Sequence, residues 1–230
     1  MSLRLLPFRQ YDENDVINLF RLGDGLENAQ IDTVGNGDNG VFVKIATGDF
    51  NLETVEYGGN NNSYLGKTDY PFVAGDQYPS NPLSVIPATK NDRPLGLTLR
   101  QTAKADENGE KLLYNVTKKE EAQAVLPGQT VPVVTKGIFT LSTNAFDNPN
   151  GLEGFYAVGT GIAIGATDGK VSGSALTGSS LTSYSSKNFS EHTVFGTVIG
   201  TGSRQGASNS TASTIADQFS GNYIVVKIDC

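Results

Sequence analysis

Apolar residues in this chain fall into short runs separated by clusters of Gly, Asn, Asp and Ser. Val41 to Ile45 is β-branched or aromatic except at Lys44, and it follows Asn36-Gly37 and Asn39-Gly40, residues that tolerate turn geometry. This predicts a strand entered from a turn. A further strand is expected near Val85–Ile86, then a turn at Lys90–Arg93 and a strand over Leu95–Gln101. There Leu95, Leu97 and Leu99 alternate with Gly96, Thr98 and Arg100, the pattern of a strand with one buried face. "ADENGE" reads as a charged hairpin loop, and "KKEEAQAVL" is the best short helix candidate, with a solvated charge run as the alternative. Residues Val16, Ile17, Leu19 and Phe20 fit a helix capped by Asp12 or Asn14. They are equally good strand formers, "LGDG" after them resembles a hairpin turn, and the strand reading is preferred.

"VLPGQTVPVVTKGIFTLS", Val125 to Ser142, is apolar on both parities. A strand of that kind is covered on both faces, inside a barrel or sandwich. Gly137 in mid-run marks a bend or bulge, and Pro132 a start beside an edge. The last third repeats the style in "YAVGTGIAIGATDGKVSG", "HTVFGTVIGTGSRQG" and "GNYIVVKIDC", with Ser/Thr/Asn-rich stretches between them. No fixed period suggests a solenoid or propeller. The expectation is an all-β protein: a β-barrel or β-sandwich-like body, an extended N-terminal arm and long Ser/Thr/Gly-rich loops. The polar run Gly58 to Ser63 divides it into 1–57, arm and strands, and 58–230, a barrel-like domain.

Composition agrees, with 27 Gly and a hydrophobic fraction of 37% in 230 residues. A net charge of −7 with no basic block argues against nucleic acid as a partner, and no basic amphipathic face or apolar span points to a membrane. Arg4, Pro7 and Arg9 interrupt the apolar N-terminal stretch, so it does not read as a signal-peptide core. Cys230 is the single cysteine, expected as an exposed terminal thiol.

Candidate chemistry is sparse. With one histidine, His192, and one distant cysteine, zinc spacing cannot arise. "DNPNGLEG", Asp147 to Gly154, has the oxygen-rich look of a cation loop without EF-hand spacing, and a plain turn is the preferred reading. No Ser sits in a nucleophile elbow. "GNGDNG" and "GTGIAIG" lack the lysine and hydroxyl of a phosphate loop. Four Asn-x-Ser/Thr triplets, at Asn61, Asn115, Asn188 and Asn209, carry little weight without an export signal. The expectation is no enzyme, no cofactor and no metal.

Several segments carry a likeness to a known family. "RPLGLTL" (93–99), "LPGQTVPVVTKGIFTLS" (126–142), "VFGTVIGTG" (194–202) and "GNYIVVKI" (221–228) resemble, in order and style, the strands of tailed-phage head decoration, or cement, proteins of the small β-barrel type. "LRLLPFRQYDENDVINLF" is similar to the opening of structural proteins encoded by tailed marine phages. The Ser/Thr-rich stretches at about 172–190 and 203–218 depart from the family. The resemblance implies a protein made in the host cytoplasm and carried on the outer capsid surface of the virion. It implies the major capsid protein as partner, self-association with a trimer favoured, and an N-terminal arm that contacts the shell. Leu3, Leu5, Leu6, Phe8 and Tyr11 are then candidate anchors, with Arg4 and Arg9 candidates for acidic surface or carbonyl groups; the apolar block Met1 to Arg9 reads equally well as a strand tucked against the protein's own core. Two alternatives remain: another β-rich virion part of tail, baseplate or fibre, or a carbohydrate-binding module using Tyr57, Tyr64, Tyr70, Tyr78 and Tyr184.

Overall fold

The computed structural model describes residues 4–23, 25–26, 28–31, 37–46, 84–90, 92–126, 129–147, 156–174, 194–204 and 221–230. Within them the chain is all-β, built as two six-stranded sheets with one short helix and no closed barrel. The first sheet contains β1 (Leu5–Gln10), β8 (Lys136–Ser142), β9 (Gly161–Ile164), β10 (Val171–Ser174), β11 (Gly196–Arg204) and β12 (Gly221–Asp229). Their spatial order is β1-β8-β12-β11-β9-β10, with every pair antiparallel. The second contains β2 (Val16–Ile17), β3 (Arg21–Leu22), β4 (Phe42–Ile45), β5 (Ser84–Pro87), β6 (Gly96–Thr98) and β7 (Val133–Val134), ordered β2-β7-β6-β4-β5-β3. Strands from 1–57 lie in both sheets beside strands from 58–230, so each sheet draws on both sides of that division.

Packing explains the apolar runs. Strand residues alternate between faces. Phe42 and Val134 point into the principal core, where Leu97 joins them with Phe139, Leu141, Ile162, Ile164, Ile224, Val226 and Ile228 of the first sheet. Their sequence neighbours Val41, Val43 and Val133 point the other way, into a second cluster with Phe20, Leu22, Leu26, Val85 and Val131. The second sheet is therefore buried on both faces, which is why 41–43 and 131–134 read as unbroken apolar segments. Each fully buried Val, Leu, Ile or Phe contributes about 1.5–3 kcal/mol. Phe42 and Phe195, with ring centroids 4.9 Å apart, tie the sheets together.

The segment 131–142 is not one ribbon. β7 belongs to the second sheet and β8 to the first, and the chain passes between them at Thr135. Thr135 N–H and its hydroxyl both donate to Asp15 O, and Thr135 O accepts from Cys230 N. The bend lies beside Gly137, whose φ is +151°. A Cβ there would sit 2.7 Å from Gln10 O, so only glycine lets β1 approach β8 at this point.

The predicted helix forms in part as α1 (Val116–Ala122), which starts before "KKEEAQAVL" and stops at Gln123 in the left-handed region, with Asn115 Oδ1 accepting from Lys118 N at its start. In "ADENGE", Asp106 Oδ1 accepts from Asn108 N and Glu110 N, closing the expected turn. A third cluster, Ile31, Ala103, Leu112, Ala124 and Leu126, lies in this region. Asp12 caps a single 3-10 turn, Glu13–Asp15, rather than a helix, and Val16–Ile17 forms the short strand β2. "LGDG" does not make a hairpin, because β3 pairs in parallel with β5 instead of turning back on a neighbour in sequence. β6 is shorter than the expected 95–101, and Thr98, on the face predicted to be exposed, is buried with its hydroxyl accepting from Val41 N.

Candidate functional site

The seven candidate anchors fall in β1 and the residues around it. Leu3 lies outside the described residues. Arg4, Leu5 and Leu6 are buried in the chain's own fold, so they are not available as surface anchors. The reason is local: Leu5 pairs with Leu141 and enters the principal core, and Ser142 N donates to Arg4 O. Apolar side chains beside an open sheet edge of the same molecule are buried there before any partner arrives. The extended N-terminal arm is thus itself the edge strand of the first sheet.

The far half of β1 differs. Phe8 is 68% exposed and Arg9 is also exposed. The register with β8 shifts between Leu5 and Arg9, which spans Pro7 and turns the strand as its burial changes. Tyr11 is partly exposed, its ring stacked on Phe139 at 5.8 Å and 18°. The structure leaves Phe8, Arg9 and Tyr11 exposed along the far half of β1 and just beyond it, with Phe8 and Arg9 on alternate faces of the strand. It separates them from Arg4, Leu5 and Leu6.

The electrostatics beneath this strand were not foreseen. Arg4 is 2% exposed, and among the described residues its Nε and Nη1 have no hydrogen-bond partner. Burial lowers its pKa, and Asp38 opposes the shift. The Asp38 carboxyl, itself buried, is pushed up to about 6 by desolvation; Arg4 and the Asn39 N–H pull it back. Each of the two buried groups at the root of β1 offsets part of the other's desolvation, which still favours the neutral form of both. The sequence signal was faint: an Arg within an apolar run and an Asp within a Gly/Asn turn.

Comparison with known protein families, with curated proteins and with solved structures finds no match to this chain. The site is therefore read from its own chemistry.

The remaining sequence candidates separate clearly. His192, Tyr57, Tyr64, Tyr70, Tyr78, Tyr184 and most of Asp147–Gly154 lie outside the described residues. Asp147 accepts from Thr167 N through both carboxylate oxygens at 3.0 Å, which closes the β9–β10 turn. Among the described residues no cluster of three His, Cys, Asp or Glu is placed to hold a metal ion. No described helix is long and apolar enough to cross a membrane. Cys230 is not an exposed, frayed thiol. It packs against the principal core, its N–H is tied to Thr135 O, and burial pushes its pKa up to about 12. A thiol so disposed stays protonated and is a poor nucleophile.

Proposed function

We propose that this protein is a non-enzymatic virion component that binds an assembled phage capsid from outside and stabilises it. The observation that carries the reading is the division of β1 into a buried root, Arg4 to Leu6, and an exposed end, Phe8 and Arg9. A docking element of a cement protein needs such a division: a fixed base, so that little order is lost on binding, and exposed apolar and cationic side chains beyond it. In this reading Phe8 and Tyr11 contact apolar surface of the major capsid protein, and Arg9 meets its carboxylates or carbonyl groups. The likeness of segments 93–99, 126–142, 194–202 and 221–228 to decoration proteins supports the same reading. Each contact is weak, and repetition over a symmetric lattice supplies the avidity.

The test is co-sedimentation of the purified chain with assembled shells stripped of it. Saturable binding at a fixed ratio to the shell subunit is expected. Combining Phe8→Ser with Arg9→Glu should abolish binding while leaving the unfolding curve in place. A wild-type chain that ignores shells and is recovered with tails from dissociated virions would overturn the proposal.

A further inference from the structure

Asparagine is chemically labile, and most so before glycine, which has no side chain to keep its backbone nitrogen away from the asparagine carboxamide. The chain has four such steps: Asn36-Gly37, Asn39-Gly40, Asn108-Gly109 and Asn150-Gly151. Asn39-Gly40 and Asn108-Gly109 lie wholly within the described residues, and the fold treats them in opposite ways. Gly40 is buried, its N–H donates to Thr98 O at 2.8 Å, and a Cβ on it would lie 3.0 Å from Leu5 N. Asn39 N donates to Asp38 Oδ1, and Asn39 Oδ1 is buried with no hydrogen-bond partner among the described residues. The Asn39 carboxamide therefore meets the Gly40 nitrogen only if this loop lifts off β1 and β6. Asn108 and Gly109 are both exposed. A Cβ on Gly109 would meet only Gln30 Nε2, at 3.7 Å, so the step is open to solvent and free of neighbours that would block a movement.

We propose that Asn108 is a site of spontaneous covalent modification, at which the folded chain deamidates while Asn39 is preserved. The Gly109 N–H donates to Asp106 O at 3.1 Å, and this bond must open first. It closes an exposed turn, and such bonds open at low free energy without wider unfolding. The freed Gly109 nitrogen attacks Asn108 Cγ. A bond forms between them, the carboxamide C–N bond breaks, and its nitrogen leaves as ammonia with the proton of the Gly109 amide. The product is a cyclic imide. Water then adds to one of its two carbonyl carbons and reopens the ring, to aspartate through the backbone carbonyl or to isoaspartate through the other. No oxidant, metal or enzyme takes part.

The turn is built so that this change is felt. Asp106 Oδ1 accepts from both Asn108 N and Glu110 N, and Asp106 N donates to Glu110 O. Isoaspartate carries the main chain through the former side chain and lengthens it by a carbon between position 108 and Gly109. One carboxylate oxygen then no longer meets both amides. The same turn presents Glu107 to Lys118 of α1. Either product adds a negative charge beside Glu107 and Glu110, in a chain that already carries −7. The inference stands apart from shell binding, and either can fail without the other.

Peptide mass spectrometry of the folded chain, aged at pH 8 and digested briefly with trypsin, tests it. Cleavage after Lys104 and Lys111 isolates Ala105–Lys111, in which Asn108 is the sole asparagine. This peptide should become one mass unit heavier with time and split into two chromatographic forms, aspartyl and isoaspartyl. Fragment ions of the Leu22–Lys44 peptide report Asn39 separately from Asn28 and Asn36. Asn39 should react more than ~10-fold more slowly than Asn108 in the folded chain, because its loop must detach first. In urea that difference should disappear. An Asn108 that stays intact in the folded chain, an Asn39 that reacts as fast beside it, or an Asn39 that remains the slower site in urea would each overturn the proposal.

Discussion

Replacing Leu97 by Ala tests whether the two sheets share one core. Leu97 has no exposed surface and lies at the middle of β6, paired with Phe42 and Val134. Its side chain joins the cluster that contains Phe139, Leu141 and Ile224 of the opposite sheet. The substitution removes three carbon groups, about 2.4 kcal/mol of transfer free energy at about 0.8 kcal/mol each. It also leaves a cavity, because ladders on both sides of β6 prevent the strand from collapsing inwards. The sum is ~3–4 kcal/mol, inside the range of about 2–5 kcal/mol for buried Leu→Ala changes. The chain has nine Tyr and no Trp, so urea unfolding is followed by tyrosine fluorescence and far-UV circular dichroism. Both signals should move together to lower urea by that amount. A loss below about 1 kcal/mol, the scale of an ordinary surface-to-intermediate change, would refute the packing argument. So would a separation of the two signals into two transitions, since a shared core unfolds as a unit.

Three other outcomes follow from the same structure. Asp38 has a folded pKa of about 6 against an ordinary 3.8, so its protonated form favours the fold. Its stabilising contribution is full below about pH 4, is lost as pH rises through 6, and amounts to about 3 kcal/mol at ~1.4 kcal/mol per unit; Asp38→Asn should remove that slope when urea midpoints are compared from pH 4 to 7. Cys230 should resist a thiol reagent at pH 8 and react fully once the chain is unfolded in urea, and rapid labelling of the folded protein would contradict its placement against the core. Gly137→Ala forces a side chain onto a φ of +151° and against Gln10 O, and should cost ~1–3 kcal/mol. Hydrogen exchange should then show faster loss of protection in residues 5–10 than in β12, and uniform protection would count against the close approach.

The strands were legible where local chemistry matched their environment. Val41–Ile45, Val85–Ile86, 161–164, 171–174 and the two long C-terminal strands combine β-branched residues with Gly-rich boundaries, and α1 and the Asp106 turn have polar sequences that suit such elements. Which sheet a strand joins was not legible. Val133 and Phe139 lie in one apolar run, yet they serve different sheets because Thr135 is bonded to Asp15 and Cys230, contacts that no local pattern encodes. Arg4, Leu5 and Leu6 are buried rather than free as anchors for a related reason. Leu5 and Leu6 look the same in sequence whether they meet a partner or their own β8, and only the register with Leu141 decides. Phe8 and Arg9 emerge as surface because the strand shifts register before reaching them. Asp38 and Arg4 were invisible as a couple, since long-range folding alone brings them together.

The position of β8 has a consequence for how the chain is made. Its two neighbours in the sheet are β1, near one end of the sequence, and β12, near the other. During synthesis β8 can pair with β1 as soon as residue 142 is free, but its other edge stays open until residues 221–229 have emerged. β11 waits for the same strand. The sheet is therefore completed by its last-made element, and for the whole interval between, apolar edges at Phe139 and Val198 are exposed to other nascent chains. Such long-range closure makes folding slow, and it places the greatest risk of misassembly before β12 arrives.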